Sequence, residues 1–503
     1  MPTTPDPAGR VALSPALASA LTFLAAGTVL VLEIAAGRLL APYVGVSLTT
    51  YSGIIGVILA GIALGAWAGG RIADRGQPAG LLGPTFVAGG LAAMAGVPVV
   101  DVVGGLGMGG DPVAIVVLAA VGFVAPAAIL SAIGPLIVRA SLVDLTSSGS
   151  LVGRLSAIAT VGAISGTFVT GFVLLGLVPT RLLIGGAGGV LVLVGIGLIA
   201  GARGRETIGS GALAVAGLVL VGGATLRSPE PCDRESAYFC MQVVTSPTDP
   251  TGRTLVLDRV SHAFVDLADP TELGFRYVGW FADASADLVA ARQERLEALH
   301  IGGGGFTFPR YLAATAPDSR HTVLELDAEV VAIAQERLGF APTERIAVRV
   351  GDARLGIAGV PTASVDLVVG DAFGGLSVPW HLTTREFLVE VDRALRPDGR
   401  YLMNLIDGPR QEFVRAEIAT LRTIWQHVVV IAAPSTLAGQ TGGNVVLLGS
   451  HDPLDLASLG RRLQARDGGR VAILSDGAAL DRLTEGATVL TDDFAPVDQL
   501  LVD

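Results

Sequence analysis

The sequence predicts a multi-span α-helical membrane domain followed by a doubly wound α/β domain, with a small β unit between them. Three observations carry this. Charge is spread very unevenly: residues 1–226 hold 9 Arg and 7 Asp plus Glu, and the remaining 277 residues hold 25 Arg and 38 Asp plus Glu. Seven apolar stretches in the first part approach the roughly 20 residues that a bilayer-crossing helix needs. In the second part, short β-branched runs alternate with helical segments, and several runs end on glycine or a carboxylate.

A chain of 503 residues exceeds one ordinary domain. We divide it into a transmembrane domain of about seven helices (1–226), a small β unit with a connecting helix (227–295), and an α/β domain (296–503). The spans are expected near Ala16–Ala36, Ser52–Gly70, Leu81–Val100, Val113–Val138, Leu155–Val178, Leu182–Ala200 and Ile208–Leu226. The first is too long, and too closely followed by further spans, to be a cleaved leader. Gly61, Gly65 and Gly69, like Gly162 and Gly166, recur every four residues, which lets helix backbones touch; a hinge or pore is the alternative. Pro126 and Pro135 predict a kink in the fourth span. Glu33 in the first span is a functional candidate because a carboxyl in a bilayer is costly. The alternative is a structural partner for a neighbouring helix or for Arg38.

Arginine bias gives an orientation. With the amino terminus inside, Arg10, Arg71, Arg75, Arg139, Arg154, Arg203 and Arg205 are cytoplasmic, and Arg38, Arg181 and Arg227 are opposite. The expected location is the cell membrane, multi-pass. Seven spans then put the α/β half on the extracytoplasmic side; a count wrong by one span puts it in the cytosol, and both alternatives stay open. Cys232 and Cys240 lie just beyond the last span, where an oxidising space would let them bridge; two unrelated buried thiols are the alternative.

In the second half, Ala237–Thr245 and Thr254–Asp258 read as two strands joined by a Pro/Gly turn. Further strands are expected at Leu299–Ile301, Thr322–Leu326, Ile346–Val350, Val365–Val369, Arg400–Leu405, Val428–Ile431 and Val445–Leu448. Helices are expected near Glu329–Leu338 and Thr384–Leu395, the second leading through Pro397-Asp398-Gly399 to the next strand. Such alternation predicts a parallel sheet with ligands at the carboxyl ends of its strands. Four features fall there. Gly302, Gly303, Gly304 and Gly305 allow close backbone approach, and Pro309 suits the first turn of the following helix. Glu325, 23 residues after Gly302, is placed to accept ribose hydroxyls, with Asp327 as a substitute. Asp352, with the backbone of Ala353, is placed for an adenine amino group. Asp371 lies where the transferable part of a ligand would be. The glycine run lacks the Gly-Lys-Ser/Thr continuation of a phosphate-binding loop, so S-adenosylmethionine or its decarboxylated form fits better.

The second half carries a net charge of −13 (25 minus 38), which argues against nucleic acid. No lysine occurs, a coding bias, and the six His show no ligand spacing, so no metal is expected.

These residues resemble the polyamine aminopropyltransferases, the spermidine synthase family. The similarity runs through Glu235-Ser236-Ala237-Tyr238, Leu255-Val256-Leu257-Asp258, Ile301 to Gly305, Leu324-Glu325-Leu326-Asp327, Gly351-Asp352 and Gly370-Asp371. The whole chain is similar to the branch described as transporter-like/spermidine synthase fusions. Gly69-Gly70-Arg71-Ile72-Ala73-Asp74-Arg75, similar also to a loop of major-facilitator transporters, and Leu490-Thr491-Asp492-Asp493-Phe494-Ala495-Pro496-Val497 support this.

The resemblance implies a Rossmann-like, methyltransferase-type fold. It implies transfer of an aminopropyl group from decarboxylated S-adenosylmethionine to a small amine. Asp371 would be the catalytic base, Glu325 the ribose ligand and Asp352 the adenine ligand; a homodimer is common in the family. Three departures stand out. The family loop usually reads Gly-Gly-Gly-Asp-Gly-Gly, and here the Asp position is Gly305, followed by Phe306 and Thr307. A second family Asp is matched by Gly374, and a glutamine that contacts the nucleoside tail is matched by His262. The missing acids normally hold cationic amines. Three readings therefore stay open: an aminopropyltransferase; a methyltransferase or other S-adenosylmethionine-dependent alkyl transfer; and a non-catalytic nucleoside-binding domain on a transporter or scaffold.

Overall fold

The computed structural model describes residues 13–501 apart from 76, 108, 143, 202–206 and 294, and only the backbone of 145 and 207–210. Arg10, Arg203 and Arg205, which entered the orientation argument, lie outside the described residues. The chain forms two compact units, Met1–Cys240 and Met241–Asp503.

In the first unit, six helices are long and apolar enough to cross a membrane: Pro15–Val44, Leu48–Arg75, Pro78–Gly104, Pro112–Ser141, Ser148–Leu177 and Thr180–Gly201. Their length and composition suggest a multi-pass membrane domain. A further helix, Thr207–Arg227, has a shorter described apolar run, Gly211–Arg227. Small residues set the packing. A Cβ on Gly65 would lie 2.0 Å from the Ala128 carbonyl, and one on Gly166 would lie 2.4 Å from that of Gly27. These glycines are therefore contact points between helices.

The fourth span breaks at Ala132, between helical segments Pro112–Ser131 and Ile133–Ser141. Pro135 has no N–H to offer Ser131, four residues back, which accounts for the expected kink. A π-helical turn at Thr170–Leu174 interrupts the fifth span and had no signature in the sequence. Arg38 does not pair with Glu33; it donates to the carbonyls of Ser236 (2.9 Å) and Tyr238. Cys232 and Cys240 are joined by a disulfide. The short strand β1 (Arg234–Glu235) follows the first of them, and Glu235 accepts from the amide and hydroxyl of Thr180.

The second unit opens with an antiparallel meander of β2 (Cys240–Thr245), β3 (Gly252–Leu257) and β4 (Val260–Asp266). The sequence reading lacked β4, which returns through a tight turn at Asp258, φ +55°. The main sheet comprises β5 (Glu297–Ile301), β6 (Arg320–Glu325), β7 (Ile346–Val350), β8 (Val365–Gly370), β9 (Leu395–Asp407), β10 (His427–Ala432), β11 (Gly443–Ser450) and β12 (Ala472–Leu474). Its order is β12-β10-β11-β9-β8-β5-β6-β7.

The pairs from β7 to β9 are parallel. Strands β11, β10 and β12 run antiparallel at one edge, so the sheet is mixed and not wholly parallel. Side-chain periodicity identifies a strand but not its direction. Pro397-Asp398-Gly399 lies inside β9: Val365 faces Leu395 and Leu367 faces Arg400, so the turn bulges from a continuing strand.

Apolar layers cover both faces. One gathers Phe387, Phe413 and Trp425; the other gathers Trp280, Phe281 and Leu459. Truncating a buried aromatic of this kind costs about 3–5 kcal/mol. His300 and His321 are buried in the sheet at 3.1 Å from each other, and desolvation lowers the His321 imidazole to about 4. Strand order reverses between β5 and β8, so a crevice opens at their carboxyl ends.

Candidate active site

The glycine loop begins where β5 ends. Gly302 sits at φ +96°, and a Cβ there would lie 2.4 Å from the Asp371 carbonyl, so only glycine fits. The Gly302 amide donates to Leu324 and the Asp371 amide to Ile301, both at 2.9 Å. The ends of β5, β6 and β8 are thereby tied together. Gly304 is also left-handed (φ +49°), as is Phe306 (φ +56°), whose ring stacks on Phe340 at 3.8 Å. Helix Thr307–Thr315 starts immediately after, with Pro309 in its first turn.

Glu325 ends β6 and turns onto the loop. Its Oε2 accepts from the amides of Gly303 (2.7 Å) and Gly304 (3.4 Å), and its Oε1 from Asp327 (2.9 Å). Burial pushes this carboxyl up, while the three amides pull the other way. Asp327 caps helix Ala328–Arg337 by accepting from Glu329 at 2.9 Å, which gives it a structural task. Asp352 caps the short helix Ala353–Ile357 through Arg354 at 2.7 Å, and Ala353 is buried. The second Asp352 oxygen lies 3.3 Å from His381 Nε2. Arg354 donates onward to Thr384 (2.8 Å) and Asp492 (2.5 Å), so the segment near the carboxyl end braces this corner.

Asp371 follows β8. Its Oδ2 accepts from the Tyr277 hydroxyl at 2.9 Å and its Oδ1 from Asn404 Nδ2 at 3.0 Å. Asn404 in turn accepts from Asn444 at 3.1 Å. Desolvation raises the Asp371 carboxyl to about 6, against the lowering effect of those two hydrogen bonds. At neutral pH this carboxyl is mostly ionised yet basic enough to take a proton. Tyr277, Asn404 and Asn444 also line a cleft of about 550 Å³, together with His262 and Phe373.

The structure therefore brings the glycine loop, Glu325 and Asp371 into direct contact and sets Asp352 at the next strand end. Asp327 and Ala353 serve helix starts. The sequence reading missed Tyr277, Asn404, Asn444, His381 and Arg354. One signal was available: Asn404 is a lone amide in the apolar run Tyr401-Leu402-Met403-Asn404-Leu405-Ile406. Among the described residues no group of three or more His, Cys, Asp or Glu is arranged to hold a metal.

Comparison with known proteins finds relatives for the α/β half. Residues 299–403 match a family model described as a methyltransferase domain. The polyamine aminopropyltransferase of Vibrio vulnificus (strain CMCP6) is 34% identical over 152 residues, 30% of this chain and 48% of that protein. That of Chromobacterium violaceum (strain ATCC 12472) is 25% identical over 185 residues, 37% of this chain and 66% of that protein. The chain thus spans about half the length of the first relative and just under two thirds of the second. A crystal structure of a probable spermidine synthase from Corynebacterium glutamicum ATCC 13032 matches at TM-score 0.48 and 29% identity, covering 52% of this chain and 95% of that one. Within its C-terminal half the chain is thus similar, over 152 to 185 residues, to polyamine aminopropyltransferases, also called spermidine synthases, and that half follows six apolar helices of membrane-crossing length.

Proposed function

We propose that the α/β half transfers an aminopropyl group from decarboxylated S-adenosylmethionine to an amine, with Asp371 as the base. The observation that carries this is the setting of Asp371: a carboxyl raised to about 6, aimed by Tyr277 and Asn404, beside a glycine loop that admits backbone contact. The amine lone pair attacks the carbon next to the sulfonium. The carbon–sulfur bond breaks, its electrons go to sulfur, and neutral methylthioadenosine leaves. The proton lost by nitrogen passes to Asp371. Glu325 takes the ribose hydroxyls, and Asp352 with the Ala353 amide takes the adenine. Much of the acceleration comes from holding two partners in line.

Methyl transfer from S-adenosylmethionine is the second reading, favoured by the methyltransferase model over residues 299–403. The test is a product assay on the detergent-purified full chain. Decarboxylated S-adenosylmethionine and an amine should give methylthioadenosine and the aminopropylated amine by mass spectrometry. Methylated product from S-adenosylmethionine instead would establish the second reading. No turnover with either donor would leave a non-catalytic nucleoside-binding domain.

The Cys232–Cys240 disulfide favours an extracytoplasmic side for the segment after the last helix; the arginine bias agrees when helix Thr207–Arg227 makes a seventh crossing and opposes it when the six longer helices alone cross. Reaction of reduced Cys232 with an impermeant thiol reagent on intact cells checks this; labelling only after lysis would place that segment inside.

A further inference from the structure

The cleft beside Asp371 has an unusual charge pattern for a protein of such acidic composition. Its polar lining includes Tyr277, Asn404, Asn444, His262, Ser261 and Arg276, and among the described residues no Asp or Glu lines it. Arg276 pairs with Asp467 at 3.2 Å, but Arg470 shares that carboxylate at 3.6 Å. Arg276 is the cationic side chain in the lining, and it shares its one carboxylate with Arg470, outside the cleft, and with the Trp280 indole N–H. Arg276 covers the face of Trp280 at 5.5 Å, so that ring is not open to a ligand cation; Phe275, Tyr277 and Phe373 also line the cleft, but a ring face offers a cation less than a carboxylate does. The amides and hydroxyls satisfy polar groups but do not neutralise a cation.

We propose that this cleft seats the acceptor, and that the acceptor is an amine whose far end carries a carboxylate, an amino acid rather than a diamine. The inference rests on the alkyl-transfer reading above. The reacting amine lies toward Asp371, which Tyr277 and Asn404 hold at the edge of the cleft, and among the described residues that line the cleft there is no other carboxylate. A second ammonium at the far end would be desolvated with no anion to meet it, whereas a carboxylate would meet Arg276.

Three four-carbon amines isolate the far end: 4-aminobutyrate, putrescine and n-butylamine. The full chain in lipid nanodiscs is first titrated with methylthioadenosine, then, saturated with it, with each amine by calorimetry. We expect 4-aminobutyrate to bind at least tenfold more tightly than putrescine. Arg276→Gln should reduce that ratio to threefold or less, and Ser261→Asp, on the exposed rim of the cleft, should raise putrescine affinity several-fold. Equal or tighter binding of putrescine by the unaltered chain overturns the acceptor assignment alone, as does binding of methylthioadenosine with none of the three amines. Absence of methylthioadenosine binding overturns the nucleoside reading and this assignment with it.

Discussion

The two ends of the crevice are built from different materials. At the glycine-loop end the contacts are made by backbone: Gly302 and Gly303 have no room for a side chain, and Glu325 is held by three main-chain amides. At the far end the wall is made of side chains from β4, β9, β11 and helix Arg276–Ala291. The first kind of surface changes only when the backbone moves. The second can be rewritten residue by residue on an unmoved scaffold. We therefore expect the donor end to hold the family's ligand and the acceptor end to have drifted from it.

The sharpest way to break this comparison is at the junction of the two ends. Asp371→Asn should lower turnover by roughly 10²- to 10⁴-fold, the usual contribution of a positioned base, with methylthioadenosine affinity changed less than threefold. Undiminished turnover would remove Asp371 from the chemistry. Next in size, Glu325→Ala should weaken methylthioadenosine by about 10- to 100-fold, since charge-assisted hydrogen bonds contribute roughly 1.5–3 kcal/mol; calorimetry reads this, and an unchanged dissociation constant would move the ribose elsewhere. Gly302→Ala should destabilise the α/β unit by about 1–3 kcal/mol from backbone strain alone, before the clash with the Asp371 carbonyl is counted. Hydrogen exchange at β5 and β8 would report it, and wild-type protection would show the loop to be more yielding than its geometry implies.

The smallest effect is the most specific. Asp371 acts as a base only when ionised, so kcat/KM should fall as pH drops through about 6. The Asn404 and Tyr277 hydrogen bonds favour the ionised form. Removing one, by Asn404→Ala, should shift that inflection upward. A shift in the opposite direction would mean that the raised carboxyl has another cause.

Much of the donor end was legible in the sequence. The strands that carry it are short, largely apolar runs, and Gly302, Glu325, Asp352 and Asp371 each fall at or just past the end of one. The sheet's other edge was not, because β10 and β11 have the same apolar period whichever way they run. The acceptor end was hidden for a different reason. Tyr277 reaches Asp371 across 94 residues of chain, and Asn404 across 33. No local pattern encodes contacts of that range. Arg38 teaches the same lesson in the membrane unit: its carbonyl partners at Ser236 and Tyr238 lie about 200 residues away, out of view of any reading that looks for a nearby carboxylate.

At Gly305 the neighbouring strand leaves no room for a side chain. A Cβ there would stand 2.8 Å from the Ala263 methyl and 2.9 Å from a Val265 methyl, both on β4. A side chain at position 305, the aspartate of the resembled loop included, therefore needs a second change on β4 before it has room. Loop and strand are interlocked: Gly305→Asp alone should strain the fold, and the same substitution paired with a smaller residue at Val265 should strain it less.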